Sequence, residues 1–160
     1  MALSSGPNLG LLVGGLQGEV HYLQLMAQWR GIDALVQPTV KSFAVTAQPS
    51  SPTDGDMYVL PASPTGAAWS GKGNRIARYS AFATTWEFYV GKKGWMISDD
   101  NTGAQYKHDG TSFKYFNGAG TTAARPSSLV LTGATYFNTT TGVPNWYNGT
   151  AWVDATGAAA

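Results

Sequence analysis

Two phrases in this chain almost spell one another. Residues 106–116 read YKHDGTSFKYF and residues 146–155 read WYNGTAWVDA. In both, an aromatic, Asp or Asn, Gly-Thr, one small residue and a second aromatic recur in that order. Such a pattern admits few folds. Asx-Gly accommodates the positive φ values of a type I′ turn, whose twist suits the flanking strands. Aromatics on either side then meet as cross-strand or diagonal neighbours, worth about 0.2–1 kcal/mol per pair. Residues 78–89, RYSAFATTWEFY, resemble the phrase with a longer turn. Upstream, residues 46–59 (TAQPSSPTDGDMYV) and 122–137 (TAARPSSLVLTGATYF) share Thr-Ala, Pro-Ser-Ser, then Gly and a Tyr strand. The chain reads as one unit used twice, the second copy being the shorter.

Before the hairpins the pattern is different. Residues 1–15 are Gly-rich with alternating small and apolar groups, which predicts an extended N-terminal arm. Val20, Leu23, Ala27, Ile32, Leu35 and Val36 then recur at roughly three- and four-residue steps. Glu19 lies in the first turn and Pro38 closes the segment, which predicts a single helix over 16–37. Pro38, Pro49, Pro52 and a Ser/Thr/Asp-Gly cluster make 37–55 a linker. Strands are predicted at 57–60, 74–79, 85–90 and 94–98, with a hairpin of 104–108 and 112–116 across Asp109-Gly110. Residues 117–128 are polar, Gly-rich and stopped by Pro126, which marks a boundary. The expected organisation is an arm (1–15), a helix for attachment and oligomerisation (16–37), a first β module (38–117) and a shorter second β module (118–160). The expected fold class is mainly β with one N-terminal helix, in small antiparallel modules built of aromatic hairpins.

Composition excludes several partners. Only 12% of residues are charged, and ten basic against nine acidic residues leave a net charge of +1. No basic block offers a nucleic-acid footprint. The chain has no cysteine, so disulfides and thiolate metal sites are ruled out. No stretch reaches the ~18 apolar residues of a membrane span. The first twenty residues lack the basic start of a signal peptide, so a soluble protein that is not exported by the usual route is expected.

Catalytic and metal chemistry find weak footing. Residues 66–73, GAAWSGKG, nearly spell a phosphate loop, but Gly73 stands where Ser or Thr should hold magnesium, and strand-like text follows. A surface β-turn is the better reading. His21 and His108 are the two histidines, with nothing to bring them together. Asp99-Asp100-Asn101 lacks the bidentate Glu of a calcium loop. Glu87, Asp99, Asp100 and Asp109 show no spacing diagnostic of a glycosidase pair. No enzyme activity, metal or cofactor is expected. Trp146, Tyr147 and Trp152 would stack on pyranose rings if they faced outward. Hairpins of this size more often bury such rings, each of which hides about 150–250 Å².

A resemblance adds context. Asp33-Ala34-Leu35-Val36, Gly55-Asp56-Met57-Tyr58, Ala68-Trp69-Ser70-Gly71, Trp86-Glu87-Phe88-Tyr89 and Gly94-Trp95 lie in an order that resembles an uncharacterised domain family of phage and prophage tail-fibre-like proteins. The likeness covers residues 7–116, and the remainder is similar to a short C-terminal segment of phage fibre and tail proteins. His21 and Tyr22 depart from the small polar residues of that pattern. The resemblance implies a virion location in the tail or tail–neck region and, by analogy with fibres, a homotrimer. It implies partners among tail, collar or baseplate proteins and supplies no catalytic residues. Leu9, Leu12, Leu16, Val20, Leu23, Ala27, Ile32 and Leu35 are the expected oligomer or attachment contacts, since they exceed what one small β module needs to cover. Burying even about 500 Å² of such surface per chain contributes roughly 12 kcal/mol before entropic costs. The expected function is a structural phage protein, namely a fibre, fibre adaptor or collar spike. The alternatives are a receptor-recognition module that binds host glycan, with Trp146, Tyr147 and Trp152 as contacts, and a capsid head fibre or decoration protein.

Overall fold

The structure, a computed structural model, describes residues 4–5, 12–13 and 19–160, with side chains from Tyr22 onward. Two compact units divide the chain, Met1–Pro38 and Thr39–Ala160. In the first, β1 (Ser4–Ser5) pairs antiparallel with β2 (Leu12–Val13), and α1 spans Glu19–Leu35. The rest of the expected arm lies outside the described residues. The helix stops where its sequence said it should. Val36 N–H still donates to Ile32 O at 2.9 Å, but Gln37 takes a left-handed φ of 52° and Pro38 cannot continue the ladder.

The second unit is all β apart from a short 3₁₀ turn at Thr122–Ala124. Its strands are β3 (Thr39–Val40), β4 (Met57–Val59), β5 (Arg75–Ser80), β6 (Thr85–Val90), β7 (Met96–Asp99), β8 (Gln105–His108), β9 (Phe113–Gly120), β10 (Val130–Asn138), β11 (Val143–Tyr147) and β12 (Trp152–Val153). Among the described residues the protein is thus mainly β with one α-helix near the N-terminus. Strands β4-β5-β6 form an antiparallel sheet whose core is Tyr58, Leu60, Trp69, Ala77 and Trp86. The other sheet has seven strands in the order β12-β11-β10-β9-β8-β7-β3. Its pairings are antiparallel except for β3 with β7 and β9 with β10, which run parallel. The residues expected to separate two modules, 117–118, lie inside β9, and the sheet runs on across them.

The repetition in the sequence is a repetition in space. Strands β7-β8-β9 and β10-β11-β12 are two meanders related by an offset of 39 residues, carrying 103 to 142 and 110 to 149. Met96 pairs with Lys107 as Thr135 pairs with Trp146, and Ile97 with Tyr106 as Tyr136 with Asn145. In the first turn Gly103 (φ 69°) donates its N–H to Asp99 O; in the second, Gly142 (φ 70°) donates to Asn138 O, both at 2.8 Å. Each meander rests on a parallel supporting strand. Asp100 N–H donates to Val40 O on β3 at 2.9 Å, and Thr139 N–H to Gly120 O on β9 at 2.8 Å.

Two expectations need correction. The shared Pro-Ser-Ser…Tyr text does not mark equivalent strands, because Tyr58 lies on β4 and Tyr136 on β10, in different sheets. The counterpart of Tyr136 is Ile97, and the segment carrying Tyr58 belongs to the stretch between β3 and β7 that holds the three-stranded sheet. Nor are the Asx-Gly turns of type I′, which needs positive φ at two successive residues. Only Gly110 (φ 115°) and Gly149 (φ 104°) are positive there. The side chain does the work instead. Asp109 Oδ1 accepts from Thr111 and Ser112 N–H at 2.7 and 2.9 Å, and Asn148 Oδ1 accepts from Thr150 and Ala151 N–H, both at 2.9 Å. The result is a four-residue loop closed by an Asx turn.

Candidate functional site

Strand alternation sorts the three rings of the last hairpin. Tyr147 stands opposite Trp152 and Trp146 opposite Val153, so Trp146 points away from the other two. Trp152 is only 7% exposed and packs with Ala104, Tyr115, Ala134 and Tyr136. Its ring lies 5.4 Å from Tyr147, 5.8 Å from Tyr136 and 6.0 Å from Tyr115. Its indole N–H donates to Pro126 O at 2.7 Å. Trp152 and Tyr147 therefore belong to the core face, as the energetics of buried aromatics favour. Trp146 alone faces outward, 37% exposed, so the three do not make one platform.

The outer face holds a residue that the sequence reading did not single out. Phe137, 48% exposed, lies two residues along β10 from Thr135, which faces Trp146. The two aromatics are diagonal neighbours on adjacent strands, within reach of one another. Alternation in TYFN beside NWYN is the signal that finds Phe137 once the buried Tyr136 fixes which side is in.

The helix and the residue that follows it present a second open surface. Tyr22, Leu25, Trp29, Ile32 and Val36 are 55, 36, 64, 43 and 59% exposed. Their spacing of three, four, three and four residues is a heptad seam. Of the residues expected for oligomer contact, Ile32 lies on this seam. Leu23 is 52% exposed and Ala27 exposed, both off the seam, while Leu35 is half-buried. Leu12 lies in β2 and Val20 in α1, with side chains outside the described residues, and Leu9 and Leu16 lie outside them altogether. A 3.5-residue period over 22–36 would have found Tyr22, Leu25 and Trp29.

Acidic side chains are tied to local structure. Glu87 lies 3.6 Å from Arg78 and accepts from Tyr89 Oη at 3.2 Å. Asp99 Oδ1 accepts from Asn101 and Thr102 N–H at 3.0 and 2.9 Å. Hydrogen bonds from Ser112 and then Thr111 hold Asp109 below the usual carboxylate range. A shallow hollow of about 190 Å³ gathers Lys41, Asp54, Asp56 and Asp100. Lys41 pairs with Asp56, which holds its ammonium above the ordinary lysine value. Asp54 Oδ1 also accepts from Ala81 N–H at 2.8 Å, and Asp56 Oδ2 from Thr53 N–H at 3.0 Å. Among the described residues no group of three or more His, Cys, Asp or Glu is placed to hold a metal ion. The GAAWSGKG loop proves to be more than a surface turn. Its Trp69 is fully buried against Tyr58 and Trp86, with ring centroids 5.3 and 5.0 Å away. His108 is buried edge-on to Phe113 at 4.9 Å. Desolvation pushes it below the ordinary imidazole value against the opposing pull of Asp109. No helix among the described residues is long and apolar enough to cross a membrane.

Fold and surfaces together define a two-meander β protein with an apolar helical seam. Residues 28–114, more than half of the chain, match the family described as protein of unknown function (DUF2793), and the chain belongs to that family. No curated protein matches it.

Proposed function

We propose that this protein is a non-enzymatic structural component of a phage particle, a homotrimeric fibre, fibre adaptor or collar spike. The carrying observation is the exposed seam Tyr22-Leu25-Trp29-Ile32-Val36. A helix of 17 residues is close to the length at which isolated helices are marginal in water. Five large apolar side chains left open on one stripe are a standing cost. A 3-4-3-4 spacing is the pattern that another helix of the same kind covers by knobs-into-holes packing, and closed symmetry makes copies of the chain the natural partners. The helical unit then holds the trimer and its attachment to the particle, while the β unit projects towards a fibre protein or the host. Sedimentation of the full chain tests this. The wild type should sediment as a trimer of 16.9 kDa chains, and Leu25→Glu/Trp29→Glu should sediment as a monomer with its β-sheet spectrum intact. A wild-type monomer, or a trimer indifferent to both charges, would overturn the assembly. Particles that still incorporate a chain lacking residues 1–36 would overturn the attachment role.

A further inference from the structure

The two meanders supply an internal control for the outer face. Carried back 39 positions, Trp146 falls on Lys107 and Phe137 on Ser98. Both are half-exposed residues at the same register of the same sheet. The first meander folds with a lysine and a serine where the second has two exposed aromatics, so neither ring is required by the scaffold. Open aromatic surface that the fold does not need marks a binding site.

The surroundings say for what. Pairing places Trp146, Thr135, Asn117, Gln105, Ser98 and Thr39 in one row across six adjacent strands. None of the six is buried. At the ~4.8 Å spacing of neighbouring strands, the row is roughly 24 Å long. Behind the tryptophan every side chain is an uncharged hydroxyl or amide, and the row contains no ionisable group. The amides and hydroxyls are already oriented. Thr135 Oγ1 donates to Asn117 Oδ1 at 2.7 Å, and Asn117 Nδ2 reaches Gln105 Oε1 at 3.5 Å. An apolar ring face followed by a line of neutral donors and acceptors complements a ligand with a C–H face and many hydroxyls but no charge. We infer that this row, with Trp146 and Phe137 at its end, binds a neutral oligosaccharide. Trp146 and Phe137 stack on a sugar ring, and Thr135, Asn117 and Gln105 hydrogen-bond to the hydroxyls of the units beyond. The inference stands on the repeat and is independent of the assembly proposed above.

The test is an amide-resolved NMR titration of the full chain with maltohexaose, cellohexaose, laminarihexaose and chitohexaose, with a heparin hexasaccharide as the anionic control. At least one neutral hexasaccharide should shift the amides of Trp146, Thr135, Asn117 and Gln105 at millimolar or lower concentration. Trp146→Lys and Phe137→Ser, which install the residues that the first meander folds with, should each weaken that response by about tenfold without changing the sedimentation of the chain. The inference falls if none of the four neutral sugars produces shifts, or if heparin alone does. It also falls if the shifts cluster on the core face around Tyr147, or if both variants bind as the wild type does. A change in oligomeric state in Trp146→Lys would instead make this face a contact between copies and would equally overturn it.

Discussion

The two meanders share a backbone and differ in what fills it. At the inner position after the first turn, the first has Tyr106 and the second Asn145. Phe43, three residues past the supporting strand β3, stacks on Tyr106 at 3.7 Å. Arg125, five residues past β9, donates to Asn145 Oδ1 at 2.8 Å and lies over Trp152. One meander is closed by an apolar lid and the other by a polar clamp, each supplied by the segment that follows its supporting strand. The supporting strands differ in a compensating way. A Cβ on Gly120 would stand 2.5 Å from Tyr136 Oη, so that strand needs a glycine. In the first meander the shorter Ile97 replaces Tyr136, and the position of Gly120 holds a buried Val40. Backbone register is thus the invariant, set by turn chemistry and ladder hydrogen bonds, while packing is solved separately in each copy.

The largest expected effect breaks the core that the second meander is built on. Trp152→Ala should cost about 3–5 kcal/mol, at the upper end because the indole bond to Pro126 goes with the ring. Its counterpart Phe113→Ala should fall in the same range without that addition. Denaturant midpoints measure both, and a loss under about 1 kcal/mol at Trp152 would mean the ring is not the keystone its burial implies.

A smaller effect sharpens the volume exchange. Gly120→Val should destabilise by about 1–3 kcal/mol through overpacking against Tyr136. Gly120→Val/Tyr136→Ile recreates the pair found in the first meander, and it should lose less than the two single changes added together, with a coupling of about 1 kcal/mol or more. Strict additivity would show that the two copies do not exchange volume at this position.

The smallest effect separates the copies by pH. His108 titrates below its ordinary value in the fold, so its contribution is complete above the unfolded value of about 6.5 and is lost as pH falls from there. Asp109 is also lowered. Its contribution is complete above the unfolded value of about 3.9 and is lost as pH falls through the lower folded value. Their counterparts are Tyr147 and Asn148, so the second meander has neither an imidazole nor a carboxyl at these two positions. Asp109→Asn should therefore flatten the loss of stability below about pH 4 while leaving the decline below about pH 6.5 in place. Denaturant midpoints between neutral and strongly acid pH give the answer. An unchanged acid limb would refute the assignment to that turn.

Hairpins, the helix and its stop at Pro38 were legible in the residues because each depends on local chemistry: Asx-Gly turns, apolar period and proline. The site was less so. Trp146, Tyr147 and Trp152 look alike as text, and only the pairing of Tyr147 with Trp152 and the filling of one face by Tyr115 and Tyr136 decide which ring is left outside. The burial of Trp69 within a loop read as a surface turn was hidden for the same reason, since it depends on Tyr58 and Trp86 arriving from strands distant in sequence.

By itself the chain of residues determined that this would be a β protein with one helix, built around recurring aromatic turns, because strand, turn and helix signals are short-range. Tertiary structure alone decided that the two copies lie side by side in one continuous sheet. It also decided that a row of uncharged polar side chains from five strands leads up to Trp146 and Phe137. Cross-strand neighbours are set by register between distant segments, and no local pattern encodes which distant strand will supply them.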